Sequence, residues 1–298
     1  MATIINRILI FGAGVIGSAY ALKFIEAGID VTMFARSARL KSLQENGLQY
    51  NEKGVNKTVP VNVIGILEDD DIYDFVLVPV RYDQATSALL ALKDNKSKII
   101  VTMTNNSSGF SAWKEILGDR LLPAFPGFGG QMKNGVLFAR FPPKAIAVTR
   151  FGEISGIESE RTRAFAELLK SANLGYKIDN NMFAFLIAHS VSDIAMTGVL
   201  VQEDKVIDEK TLTSKETAHK ITTTLKKYIP ALQEAGVTIT PSFFKTLIKF
   251  PDSILDFLFR KWLRSDMVRS MLAPDYAGSA HRENEALEKD LLTFLAQK

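Results

Sequence analysis

Up to about residue 179, short apolar, β-branched runs alternate with stretches in which apolar residues recur every three or four positions. That is the pattern of parallel strands joined by crossover helices. The predicted strands are Ile8–Phe11, Val31–Phe34, Phe75–Pro79, Ile99–Thr102 and Leu121–Phe125. Helices are predicted over Val15–Ala27, closed by Gly28, and over Ala38–Glu45, closed by Asn46-Gly47. Asn51–Lys57 reads as a solvated polar loop, and Phe138–Phe141 with Ala145–Thr149 as a hairpin. Ser159–Ala172 reads as a helix and Tyr176–Ile178 as a last edge strand.

After Asp179 the texture changes. Met182–Gln202, Lys215–Ala235, Pro241–Leu263 and Ala277–Ala296 carry helical periodicity, with hardly any strand signal between them. The expected chain is therefore α/β, with a doubly wound parallel sheet over residues 1–179 and an all-helical domain over 180–298. A length of 298 residues suits two domains. Hydrophobic residues at 47% and charged residues at 23% describe an ordinary globular protein.

The absence of cysteine excludes disulfides, thiolate metal sites and a cysteine nucleophile, and it suits a reducing cytoplasm. A net charge of +3 is too small to point to nucleic acid or a membrane surface, and it accommodates a small anionic ligand. No apolar run approaches the roughly 18–20 residues that span a bilayer. The apolar run at Ile8–Phe11 leads straight into a glycine motif and lacks a small-residue cleavage site, so it reads as a buried strand rather than a signal-peptide core.

That motif is Gly12-Ala13-Gly14-Val15-Ile16-Gly17, a G-x-G-x-x-G placed directly after a strand and before a helix. Gly12 permits the tight turn, Gly14 lets backbone approach a pyrophosphate, and Gly17 lets helix and strand pack closely. The helix that begins at Val15 turns its free N–H groups and positive dipole end toward the same anion. The first domain is thus expected to be of Rossmann type. At the tip of the second strand, Phe34-Ala35-Arg36-Ser37-Ala38-Arg39 contains no acid. An acid there would bind a ribose 2′-hydroxyl, whereas Arg36 can pair with a 2′-phosphate. The expected cofactor is NADP (NADPH).

The run from Arg7 to Ser18, followed by Glu26-Ala27-Gly28-Ile29-Asp30-Val31-Thr32 and Ala35-Arg36, resembles the ketopantoate reductase (2-dehydropantoate 2-reductase) family. Val78-Pro79-Val80-Arg81-Tyr82-Asp83-Gln84 is similar to that family's segment after the third main strand, with Arg81 where a lysine is usual. Thr104-Asn105-Asn106-Ser107-Ser108 resembles its Gln-Asn-Gly-x-Gly segment, and Asp275 and Glu283 keep its eight-residue spacing of acids. The resemblance implies NADPH-dependent reduction of a small 2-oxo acid to a 2-hydroxy acid in a cleft between the domains, by an enzyme of pantothenate biosynthesis. It implies cofactor contacts from Val80, Arg81, Asn105 and Glu283, with Asn105 beside the nicotinamide and Glu283 orienting the substrate. A homodimer is compatible with it.

The departures are chemical. The family's helical domain opens on a lysine that protonates the carbonyl oxygen. The matching stretch here is Phe183-Ala184-Phe185-Leu186-Ile187-Ala188-His189-Ser190-Val191-Ser192-Asp193, with Phe185 at the lysine position and His189 and Asp193 replacing two asparagines. A positioned general acid contributes about 10²–10⁴ in rate, roughly 3–5 kcal/mol of barrier. Phe185, His189 and Asp193 follow i, i+4 spacing on one helix face. His189 with Asp193 is either a replacement proton donor or a core histidine satisfied by its carboxylate. Without compensation, the chain is instead a cofactor-binding paralogue that senses NADPH or serves a partner. A third alternative is a related hydroxy-acid or opine-type dehydrogenase. No third ligand is spaced to make the pair a zinc site.

His281, Arg282, Glu283 and Glu285 form a second polar cluster, readable either as substrate-orienting groups or as a solvated helix start. Arg282 or Arg81 could supply a cation for an acidic substrate. Phe125–Gly130 reads either as lining the nicotinamide end or as a turn. The aromatic-rich stretch Phe243–Trp262 reads as core or subunit interface, and His219 as surface.

Overall fold

The computed structural model describes residues 7–145, 147–202, 205–206, 208–265, 268 and 274–298. Backbone proximity divides the chain into two compact units, one of residues 1–104 with 110–182 and one of residues 105–109 with 183–298.

The first unit is built on an eight-stranded sheet that contains β1 (Arg7–Phe11), β2 (Asp30–Phe34), β5 (Asn62–Ile64), β6 (Phe75–Val78), β7 (Ile100–Met103), β8 (Leu121–Phe125), β11 (Val148–Phe151) and β12 (Gly175–Ile178). Their spatial order is β12-β11-β8-β7-β6-β1-β2-β5. Pairing is parallel except at β11–β8. The strand order turns back at β1, with β2 on one side and β6 on the other. The carboxyl ends of β1 and β6 therefore form the switch point where open α/β sheets receive ligands. Crossovers include α1 (Val15–Glu26), α2 (Ser37–Asn46), α3 (Tyr82–Ala91), α4 (Ser111–Leu117) and α5 (Glu160–Ser171). Ser159 caps α5 reciprocally with Thr162.

Ile8, Leu9 and Ile10 on the central strand are fully buried, as both faces of a parallel sheet require. Phe165 of α5 packs against Phe75 and Phe151 with ring centroids 5.3 and 4.8 Å away. From α1, the buried Tyr20 ring lies 4.5 Å from Phe128, and its hydroxyl makes a 2.6 Å hydrogen bond with that of Thr149 on β11.

A second sheet, ordered β4-β3-β10-β9, holds β3 (Leu48–Glu52), β4 (Val55–Val59), β9 (Gly129–Lys133) and β10 (Val136–Arg140). It corrects two expectations. The stretch read as a polar loop at Asn51–Lys57 is a hairpin whose tip, Lys53-Gly54, takes φ of +52° and +87°. β4 is largely exposed whereas β3 is mostly half-buried, and neither strand carries a clear apolar alternation. Nor do Phe138–Phe141 and Ala145–Thr149 pair with each other. β10 pairs with β9 across the Asn134-Gly135 turn and with β3, whereas β11 lies in the main sheet. The Asn-Gly dipeptide is the local signal for that turn. Phe125–Gly130 crosses from one sheet to the other, with Phe128 buried on Tyr20.

The second unit contains α6 (Met182–Met196), α7 (Glu209–Leu212), α8 (Lys215–Glu234), α9 (Phe243–Leu247), α10 (Asp252–Leu263) and a C-terminal helix, Pro274–Ala296. The expected helix over Met182–Gln202 ends at Met196, and a two-stranded ribbon, β13 (Val201–Gln202) with β14 (Lys205–Val206), follows. The expected helix over Pro241–Leu263 is two helices, because Pro251 cannot donate within a continuous helix and instead precedes the first turn of α10. His219 is half-exposed but bound. Its Nδ1 lies 3.0 Å from a carboxylate oxygen of the buried Asp256, which also accepts from Thr222 at 2.6 Å. Among the described residues no helix is long and apolar enough to cross a membrane.

Burial holds the phenol of Tyr73 up at about 12 and pushes that of Tyr20 higher still. An unfolded phenol ionises near about pH 10. Between these values the unfolded chain releases protons that the folded chain keeps, so stability falls as pH rises. Urea unfolding midpoints are expected to decline above about pH 10, and less steeply in Tyr20→Phe. At neutral pH the same variant is expected to lose about 1–2 kcal/mol, because Thr149 is left with an unmet bond in the core.

Candidate active site

In the first unit the switch point carries the glycine loop. Gly12 has φ +144°, and a Cβ there would lie 3.2 Å from Val80 Cγ1 at the end of the β6 segment. At Gly17 a Cβ would stand 1.9 Å from the Gly12 carbonyl oxygen, so only glycine lets α1 start this close to the strand it follows. Gly14 is exposed, and a Cβ there would meet nothing within 4 Å. It is the N-cap of α1 and offers no side chain to the first-turn amides, which leaves the positive helix end open. Ala13, Val15 and Ile16 are half-buried and pack their side chains against the core. The loop therefore presents backbone N–H groups over open space, the environment that a pyrophosphate requires.

Arg36 stands at the end of β2, exposed, with its guanidinium 5.3 Å from the Phe34 ring centroid. Phe34 in turn stacks on Phe11 at 4.3 Å and 8°. Among the described residues no carboxylate pairs with Arg36, so it is available to an anionic ligand. Arg81 is different. Its guanidinium binds Asp83 through two contacts, at 3.0 and 3.2 Å, and that pair neutralises the cation the sequence offered to an acidic substrate. A residue that sequence reasoning left without a role, Arg39 of α2, reaches under the loop and donates to the Ala13 carbonyl at 3.1 Å. Nothing in the local pattern separates it from a surface arginine.

In the second unit, residues 105–109 form a self-bonded turn. Asn106 Oδ1 accepts from the Ser108 and Gly109 amides at 3.0 and 2.7 Å, and the Ser107 hydroxyl donates to the Leu287 carbonyl of the C-terminal helix at 2.9 Å. The turn buries the Asn105 side chain against α6. There Asn105 Nδ2 donates to Asp193 Oδ2 at 2.6 Å, and Asn105 Oδ1 lies 3.1 Å from His189 Nδ1. The carboxylate accepts only, so it sets which end of the carboxamide faces the histidine. The carbonyl end then requires the proton on Nδ1, leaving Nε2 as the nitrogen that gains or loses a proton. His189 Nδ1 is also 3.5 Å from Asp193 Oδ2. Phe185, one turn earlier, is buried with its ring 5.6 Å from the imidazole.

Asn105, His189 and Asp193 thus meet in one hydrogen-bonded group. Glu283 is half-buried on the C-terminal helix, next to Asn284, whose carboxamide donates to Thr197 one turn beyond Asp193. His281 pairs with Glu285 at 3.3 Å, and Arg282 is exposed. The side chain of Asp275 lies outside the described residues. Among the described residues no cluster of three or more histidines and acids could hold a metal ion.

Residues 8–135 match the sequence profile of the family described as ketopantoate reductase PanE/ApbA. A 2-dehydropantoate 2-reductase of Mesorhizobium japonicum is 32% identical over 194 residues, which cover 56% of this chain and 58% of that protein. The match therefore spans somewhat more than half of the relative's length. Among solved structures, D-mandelate dehydrogenase in a ternary complex with NADH and anilino(oxo)acetate has a TM-score of 0.73 at 13% identity, covering 98% of this chain and 99% of its own. The 2-dehydropantoate 2-reductase from Geobacter metallireducens has a TM-score of 0.67 at 18% identity, covering 96% and 99%. Residues 8–135 are thus similar to the ketopantoate reductase PanE/ApbA family, and nearly the whole chain shares the fold of solved 2-dehydropantoate 2-reductases.

Proposed function

We propose that the chain is an NADPH-dependent reductase that converts a small 2-oxo acid to the corresponding 2-hydroxy acid. The observation that carries this reading is the Asn105–His189–Asp193 group, a histidine oriented through Nδ1 by a buried carboxamide that a carboxylate holds in place. The glycine loop, with its open first turn and the cramped Gly12–Gly17 approach, fits a dinucleotide pyrophosphate. Arg36, with no carboxylate partner among the described residues, fits a 2′-phosphate. The Mesorhizobium relative, a 2-dehydropantoate 2-reductase by name, supports the substrate class.

When bound, the reduced nicotinamide supplies a hydride for the substrate's carbonyl carbon. His189 donates the matching proton to the carbonyl oxygen through Nε2, while Nδ1–H stays bonded to Asn105 Oδ1. Asp193 keeps the Asn105 carboxamide from flipping, which preserves the productive tautomer. A histidine in this role supplies what a lysine at position 185 would supply in the family pattern. Glu283 orients the substrate.

The burial of Phe185 favours a second reading, a chain that binds NADPH without turning it over. Tight NADPH binding with no oxidation across a panel of 2-oxo acids would establish that reading and remove the first.

Two variants test the assignment. His189→Ala is expected to lower kcat at least about tenfold, because a general acid is lost; unchanged turnover would remove His189 from the chemistry. Arg36→Ala is expected to raise the Kd for NADPH by about tenfold or more, with the loss of a charge-assisted phosphate contact. Its Kd for NADH is expected to stay near the wild-type value, and equal losses for both dinucleotides would refute a 2′-phosphate role.

A further inference from the structure

Arg39, the third residue of α2, holds the glycine loop from behind. Its Nε–H donates to the Ala13 carbonyl at 3.1 Å, one terminal nitrogen donates to Ser18 Oγ at 3.1 Å, and the other donates to the Gly135 carbonyl at 3.2 Å. The Ser18 hydroxyl donates in turn to the same Ala13 carbonyl, at 3.3 Å. One guanidinium therefore joins the loop, the first turn of α1 and the β9–β10 turn. Among the described residues no carboxylate neutralises it, and burial pushes its pKa down without removing its charge.

The consequence lies in the peptide plane between Ala13 and Gly14. A trans peptide carries its C=O and the following N–H on opposite sides. With the Ala13 oxygen drawn toward Arg39 and Ser18, the Gly14 N–H is turned to the other face of the loop. Gly14 itself is exposed, and a Cβ there would meet nothing within 4 Å, so the residue leaves room for a ligand at this peptide.

We infer that Arg39 is a positioning residue for the dinucleotide: it turns the Ala13–Gly14 peptide so that its N–H meets the pyrophosphate, and it sets a positive charge behind that peptide. The inference rests on the cofactor reading above. It separates Arg39 from Arg36 by the phosphate each serves. Arg36 acts on the 2′-phosphate, which only NADPH carries, and Arg39 acts on the pyrophosphate that NADPH and NADH share.

The test measures Kd for NADPH and for NADH by fluorescence titration, together with ligand-free thermal melting, in wild type, Arg39→Met and Arg39→Lys. Arg39→Met is expected to weaken both dinucleotides by the same factor, about tenfold or more, so that the NADPH/NADH ratio keeps its wild-type value. Arg39→Lys keeps the charge and a single donor for Ala13, and is expected to recover part of the loss for both ligands. Wild-type affinity for both dinucleotides in a folded Arg39→Met protein would overturn the inference, even if its melting temperature fell. So would a loss confined to NADPH, which would mean direct contact with the 2′-phosphate. If Arg39→Met does not fold, Arg39→Lys decides: equal, partial losses for both ligands support the role, and wild-type affinity refutes it. Wild-type protein that binds neither dinucleotide would overturn the cofactor reading itself.

Discussion

The first unit depends on one steric constraint, the absence of a side chain between Gly17 and the Gly12 carbonyl oxygen. A Cβ at Gly17 would approach that oxygen to 1.9 Å, far inside any van der Waals contact. Because glycine stands there, α1 begins directly above the end of β1. Its first turn is thereby aimed at the switch point between β1 and β6. The same helix places Ser18 under the loop, where it bonds Ala13 and Arg39, and Tyr20 deeper, where it bonds Thr149. Loop geometry and core packing are two consequences of one close approach, so a change that lifted the helix would disturb both.

Charge around the loop is distributed unevenly, and partners decide what each cation does. Arg36, Arg39 and Arg81 all stand on this unit. Arg81 is spent on Asp83 two residues away, Arg39 on two backbone carbonyls and the Ser18 hydroxyl, and Arg36 is exposed with no carboxylate partner among the described residues. Three arginines that look alike in a sequence therefore have three roles: an ion pair at the start of a helix, a brace for a turn, and a contact available to a ligand.

The second unit makes a comparable use of a carboxamide. Asn105 can both donate and accept, so it relays the acceptor character of Asp193 to His189 and converts it into a choice of tautomer. A direct Asp–His contact would fix the same nitrogen, yet the carboxylate is 3.5 Å from Nδ1 and the carboxamide oxygen is nearer. The turn at 105–109 can hold Asn105 against α6 because Asn106 satisfies its amides and Ser107 ties it to the C-terminal helix.

The sequence by itself determined the central parallel strands, the glycine loop and helices such as α1, α5 and α8, because each is written in local periodicity or in residues whose backbone freedom is unique. It also marked His189 and Asp193 as one face of a helix, since i, i+4 spacing is a local property. What it left open was governed by contacts distant in the chain. The hairpin at Lys53-Gly54 has one solvated strand, β4, and so little alternation to read, and the partner of β10 was settled by sheet pairing rather than by the nearest apolar run. Asn105 reaches His189 across 84 residues and Arg39 reaches Gly135 across 96. Only the tertiary structure decided those pairings, because a hydrogen bond between residues so far apart leaves no trace in the spacing of either one.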